Sequence, residues 1–152
     1  MKRYIAFLLA LVMLCLVGCG KKTAAVEMDV ESVYEEMEDV LPEMVIMDEK
    51  TMLNFCGIKE EYCQNVVVAV CADGLRADEI WLIEAADEDA LENLQDLAEG
   101  RLERKGEESI TYSPEQYEVV QDAEVLTAGN YLAVIVSPDV DDLVEIFEDA
   151  AN

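Results

Sequence analysis

Val66 to Cys71 is an unbroken apolar run in which four of the six residues are valine. Valine is stiff at χ1 and packs well on a pleated surface, so the run reads as a buried strand. Such a strand has to be paired at its edges and covered on its faces, which commits the chain to a sheet with helices laid on it. Asp73-Gly74 supplies a turn after the run, and Ile80 to Ile83, with the only tryptophan, Trp81, reads as the next strand. Ala123 to Leu126 and Tyr131 to Val136 read as a second pair around Ala128-Gly129-Asn130.

Helix signals occupy the remaining stretches. Asp29 is a candidate N-cap for a helix over 30–41 with Val30, Val33, Tyr34, Met37 and Leu41 as its apolar stripe, ended by Pro42. Asp48 caps a short helix through Phe55, and Gly57 is its C-terminal stop. Asp87 opens a longer helix with Leu91, Leu94, Leu97, Ala98 and Leu102 on one face; Gly100 interrupts it and Gly106 is expected to end it. Ser113-Pro114-Glu115-Gln116 joins a capping serine, a proline at the first helical position and a glutamine three residues after the serine. A last helix starts near Ser137-Pro138 and carries Val140, Leu143, Val144, Phe147 and Ala150.

The two strand pairs echo one another. Ile80-Trp81-Leu82-Ile83 leads through Asp87 into Leu91 and Leu94, and fifty-two residues later Leu132-Ala133-Val134-Ile135 leads through Asp139 into Leu143 and Ile146. The expected fold is therefore α+β: a four-stranded antiparallel sheet made of two β-β-α units with helices packed on it. Residues 29–152 form one domain in this reading, and any two hairpin-then-helix segments would show a similar echo without duplication.

The front of the chain has a different character. Lys2 and Arg3 precede an uncharged apolar run from Tyr4 to Val17. Fourteen helical residues reach only about 21 Å, short of a hydrocarbon core of about 30 Å, so the run fits a secretory signal better than a membrane span. Leu16-Val17-Gly18-Cys19 looks like a lipobox, where a small residue fits a narrow peptidase pocket and the thiol takes the diacylglyceryl group. Residues 1–18 are then a signal peptide cleaved between Gly18 and Cys19, and residues 19–28 a lipidated cysteine and its tether. Lys21 and Lys22 beside the anchor are candidates for contact with anionic head groups. The expected address is the extracytoplasmic face of the cell membrane, held by acyl chains on Cys19.

Charge bounds the partners. The chain holds 35 Asp and Glu against 10 Lys and Arg, a net −25, and no histidine. From Cys19 onward there are eight Lys and Arg against the same 35 acids, a net −27 over 134 residues. Nucleic acid is excluded as a partner, since phosphate binding needs clustered Lys and Arg. Without histidine there is no Ser-His or Cys-His dyad and no imidazole ligand for a metal.

The motifs that follow the tether carry a resemblance. An early helix ending in Leu-Pro, Ala-Asp-Glu-Ile at 77–80, Arg101-Leu-Glu, Tyr112-Ser-Pro-Glu-Gln and Gly129-Asn-Tyr131 come in an order similar to bacterial lipoproteins grouped as domain of unknown function family 4358. The resemblance implies a lipid-anchored surface protein and brings no activity, cofactor or catalytic residue with it.

The remaining candidates for chemistry are sparse. Cys56, Cys63 and Cys71 show no Cys-x-x-Cys spacing; buried inert thiols are the preferred reading beside a Cys56–Cys63 bridge. Asp139, Asp141, Asp142 and Glu145 crowd one helix start, and Asp87, Glu88 and Asp89 another. Neither follows a calcium-loop pattern, and acids are favoured in a first helical turn, so no metal is assigned. Arg101, flanked by Glu99 and Glu103, either holds an anion or packs its stem on the sheet and pairs with nearby acids; Trp81 and Tyr131 read as core. The expected function is a non-catalytic interaction module, without cofactor, that offers the acidic face of Asp139, Asp141, Asp142 and Glu145 to an envelope protein or cationic ligand. The alternatives are an accessory subunit of an envelope complex and a thiol-dependent envelope enzyme using Cys56 and Cys63.

Overall fold

A computed structural model of the chain describes residues 26–152. The signal segment, Gly18, Cys19, Lys21 and Lys22 lie outside the described residues. Helix α1 (Val30–Met37) leads to strand β1 (Met44–Ile46), helix α2 (Glu49–Cys56) and a 3-10 turn (Glu60–Tyr62). Hairpin β2 (Cys63–Cys71) and β3 (Glu79–Ala85) follows, then helices α3 (Glu88–Tyr112) and α4 (Pro114–Gln121). Hairpin β4 (Glu124–Ala128) and β5 (Tyr131–Val136) and helix α5 (Val140–Ala150) complete the domain.

The sheet has five strands in the order β1-β2-β3-β5-β4, every neighbouring pair antiparallel. The expected four strands are all present, and β1 is the addition. Three residues after Pro42 give no alternation to read, and β1 exists through its pairing with β2, Val45 opposite Val70.

Alternation sorts each central strand onto two cores. Ile80 and Leu82 of β3 join Tyr131, Ala133 and Ile135 of β5 under α1 and α5. Trp81 and Ile83 join Leu132, Val134 and Val136 under α2, α3 and α4. Helices therefore cover both faces, which is why β2, β3 and β5 read as continuous apolar runs. All six residues of β5 are buried.

The two-unit echo fails on this alternation. The residue fifty-two beyond Ile80 is Leu132, which faces the other core, and α3 and α5 lie on opposite faces of the sheet. Antiparallel neighbours related by a two-fold axis through the sheet would carry their helices on one face, so the β-β-α units are not symmetric repeats. Trp81 and Tyr131 are buried, 0% and 5% exposed, on opposite faces.

Local signals place most helix ends. Asp29, Asp48, Asp87 and Ser113 accept backbone N–H bonds as N-caps, and Gly57 closes α2 in the left-handed region at φ 76°. The first helix ends at Met37 instead of Leu41, although Leu41 N still donates to Met37 O at 3.0 Å. Gly106 does not end α3, which runs on to Tyr112. It is buried in α3 where Tyr117, Val120 and Gln121 of α4 approach, with ordinary van der Waals room for a Cβ.

Candidate functional site

Glu79 begins β3 on the face that carries Trp81 and is only 1% exposed. A carboxylate there needs partners for every lone pair, because desolvating an ion costs several kcal/mol. Trp81 Nε1 donates to Oε1 at 2.9 Å and Arg101 Nε at 3.0 Å, while Arg101 Nη2 donates to Oε2 at 2.8 Å and Lys105 Nζ at 2.9 Å. Arg101 and Lys105 are one helical turn apart on α3, and the Glu79–Trp81 spacing of two puts both on one strand face. Burial by itself raises the Glu79 pKa, but the bonds from Arg101 and the charge of Lys105 win, and the carboxyl is held below its ordinary 4.5.

A second buried acid precedes it in the chain and lines the same groove as Arg101 and Lys105. Asp78, 1% exposed, accepts from Arg76 Nε at 2.9 Å and Arg76 Nη2 at 3.0 Å, a two-pronged pair, and from Ser137 Oγ at 3.5 Å. Ala77 N donates to Gln116 Oε1 at 2.7 Å, which ties the start of β3 to α4.

Arg101 thus pairs its head with an acid, as expected, but the acid is Glu79 on another element. The pairing spans 22 residues of sequence, and an acid opening an apolar strand reads by itself as a solvated strand end. The one signal was the pair of short motifs, 77–80 and 101–103, which stand next to each other in space.

These cations floor a groove along the open side of β1. One half, about 590 Å³, is walled by Val45, Ile46 and Phe55, with Arg76, Arg101 and Lys105 below. The other, about 750 Å³, continues past Leu75 and Tyr112 and shares Gly74, Arg76 and Lys105 with the first. Val45, Ile46, Phe55, Leu75 and Tyr112 are each more than half exposed. Asp48 and Asp78 also line the first half and Glu108 the second.

The acidic residues singled out in the sequence stand elsewhere. Asp139, Asp141, Asp142 and Glu145 are all exposed around the start of α5, where Ser137 Oγ accepts from Asp139 N at 3.2 Å. No group of three or more acids or cysteines suited to a metal occurs among the described residues. Cys56, Cys63 and Cys71 are free thiols. Burial pushes the Cys56 thiol up to about 11, with Glu79 adding to it, and burial pushes Cys63 to about 11. Both are held protonated at neutral pH, the reverse of what a nucleophilic cysteine needs.

The start of the described chain lies at the far end of the sheet. Met28 N donates to the Tyr131 hydroxyl at 3.1 Å, and Val26 touches the β4–β5 turn at Gly129. Tyr131 pairs with Glu84, whereas the ion cluster below the groove is built on Glu79, opposite Val136. The intervening length of β3 is about 17 Å.

A family model described as Domain of unknown function (DUF4358) matches residues 37–137, and the chain belongs to that family. No curated protein and no solved structure matches the chain.

Proposed function

We propose that this chain is a lipid-anchored, extracytoplasmic interaction module without catalysis of its own, tethered to the cell membrane through Cys19. The observation that carries the reading is the groove: five large apolar side chains stand exposed around a fixed ion cluster in a domain whose other surface is strongly acidic. Contiguous exposed apolar surface rimmed by polar residues marks a place where another molecule sits. The protonated thiols of Cys56 and Cys63 weigh against the thiol-enzyme alternative.

In this reading the tether leaves from the Tyr131 end, so the groove faces away from the membrane. The acidic face of Asp139, Asp141, Asp142 and Glu145 steers an envelope protein or a cationic ligand, and Lys21 and Lys22 contact lipid head groups. Incorporation of an alkyne fatty acid into wild type, with loss of label and release from membranes in Cys19→Ser, is the expected result for the anchor. For the binding role, crosslinking in native membranes at rising salt is decisive. One partner is expected, with capture falling as salt rises and falling further when Asp139, Asp141 and Asp142 are changed to Asn. Capture indifferent to salt and to these changes overturns the acidic-face reading, and label retained by Cys19→Ser overturns the anchor.

A further inference from the structure

The open edge of β1 and the groove beside it form one surface, and its hydrogen-bonding side is readable from the ladder. Ala72 N donates to Glu43 O and Met47 N to Val68 O, both at 2.8 Å, with Val45 opposite Val70 between them. Antiparallel pairing alternates, so residues 43, 45 and 47 spend their main-chain groups on β2, and Met44 and Ile46 turn their N–H and C=O outward. An open edge of this kind is a template for another strand. Two of its three side chains, Val45 and Ile46, are 53% and 58% exposed.

The cations below the edge have donors to spare. Among the described residues Arg76 Nη1 and Arg101 Nη1 make no hydrogen bond, and Lys105 Nζ makes one of a possible three. Asp78 and Glu79 fix these side chains from behind, so a carboxylate entering the groove meets donors already held in place. Asp48, Asp78 and Glu108 on the lining oppose the entry of more than one such anion. The opposite edge strand, β4, has neither large exposed apolar side chains nor cations among its residues.

Resting on the binding-module reading, we propose that β1 takes an extended segment of a partner polypeptide as a sixth strand, its apolar side chains against Val45 and Phe55 and one carboxylate held by Arg76 and Lys105. A second copy of this chain is opposed by charge, since residues 26–152 hold 35 acids against six Lys and Arg.

The test is selection from a random octapeptide library with free C-termini against the protein purified from its membranes into nanodiscs, followed by fluorescence anisotropy of selected peptides. Selected sequences are expected to alternate apolar and polar residues and to carry a single carboxylate. Ile46→Pro removes an outward N–H without touching the β1–β2 ladder and should weaken binding about tenfold or more, as should amidating or neutralising the carboxylate. Val45→Lys, at an exposed side chain, gives an independent block should the proline loosen β1. The proposal is overturned by an empty selection, or by basic peptides that bind the wild type and both edge variants alike. Self-association abolished by Ile46→Pro overturns it in favour of a second copy. Membrane crosslinking that captures a partner regardless of Ile46→Pro defeats the edge proposal and leaves the binding module standing, whereas loss of capture in the wild type defeats both.

Discussion

Glu79 takes a negative charge into the interior, and its stability depends on three partners drawn from two elements. Removing one partner of a buried ion pair costs about 3–5 kcal/mol because a charge is left behind, while replacing both members costs far less than the sum. Arg101→Met is expected near the lower end, since Lys105 remains, and Glu79→Gln at about 2 kcal/mol, since Gln still accepts from Trp81. The double variant should fall short of additivity by about 1–3 kcal/mol in urea unfolding. The pH dependence follows from the lowered Glu79 pKa. As pH falls, the unfolded chain takes up the proton first, so the stability Glu79 contributes is intact above the ordinary carboxylate range and lost as pH drops through the lowered value. The gap in Tm between wild type and Glu79→Gln should accordingly close on acidification; a gap constant from pH 7 to acid would mean that Arg101 and Lys105 do not hold the charged form. Both halves of this cluster were legible in the sequence as residues, Arg101 as a rare cation and Ala77-Asp78-Glu79 as a short motif. Their pairing was not legible, because it is made by the packing of α3 on β3.

Two glycines that look alike in sequence separate at the level of elements. Gly57 and Gly106 both follow an apolar helical stretch, and both fit a C-terminal stop. Gly57 is one: its φ is +76°, and an added Cβ would stand 2.9 Å from Leu97 Cδ2. Gly106 lies inside the last third of α3, with its nearest non-local atom, Gln121 Nε2, 3.6 Å from where a Cβ would be, an ordinary contact. Gly57→Ala is therefore expected to cost about 1–2 kcal/mol, from the left-handed backbone and the crowding of Leu97. Gly106→Ala is expected to raise stability by about 0.5–1 kcal/mol through helix propensity. Thermal unfolding of the two variants should move in opposite directions, and a loss in Gly106→Ala would show that α3 and α4 approach more closely than these contacts indicate. The same ambiguity explains what the sequence hid. Caps and apolar periods specified the strands and helix starts, because those are local chemistry. The end of α3 is marked by Ser113-Pro114, whereas β1 depends on β2 and leaves no local mark.

Charge sets the behaviour of the whole molecule. Residues 26–152 contain 35 acids, and four of their six cations form ion pairs: Lys59–Glu61, Arg76–Asp78, Arg101–Glu79 and Lys105–Glu79. Three of the four serve the two buried acids, so the rest of the acidic surface is left to repel itself, which destabilises the compact state relative to an expanded chain. Raising ionic strength from about 0.01 M to 0.1 M shortens the Debye length from about 30 Å to about 10 Å, comparable to spacings across this domain. The buried pairs are screened much less. Added NaCl is therefore expected to stabilise the fold, raising Tm by about 3–6 °C if the relief is about 1 kcal/mol or slightly more. The opposite sign holds for a partner steered by the acidic face, whose association weakens over the same range. Salt thus separates the two roles of the acidity in one titration: folding should gain and partner capture should lose. A Tm that falls with NaCl would place the dominant electrostatics in the ion pairs at Asp78 and Glu79 instead of the open surface.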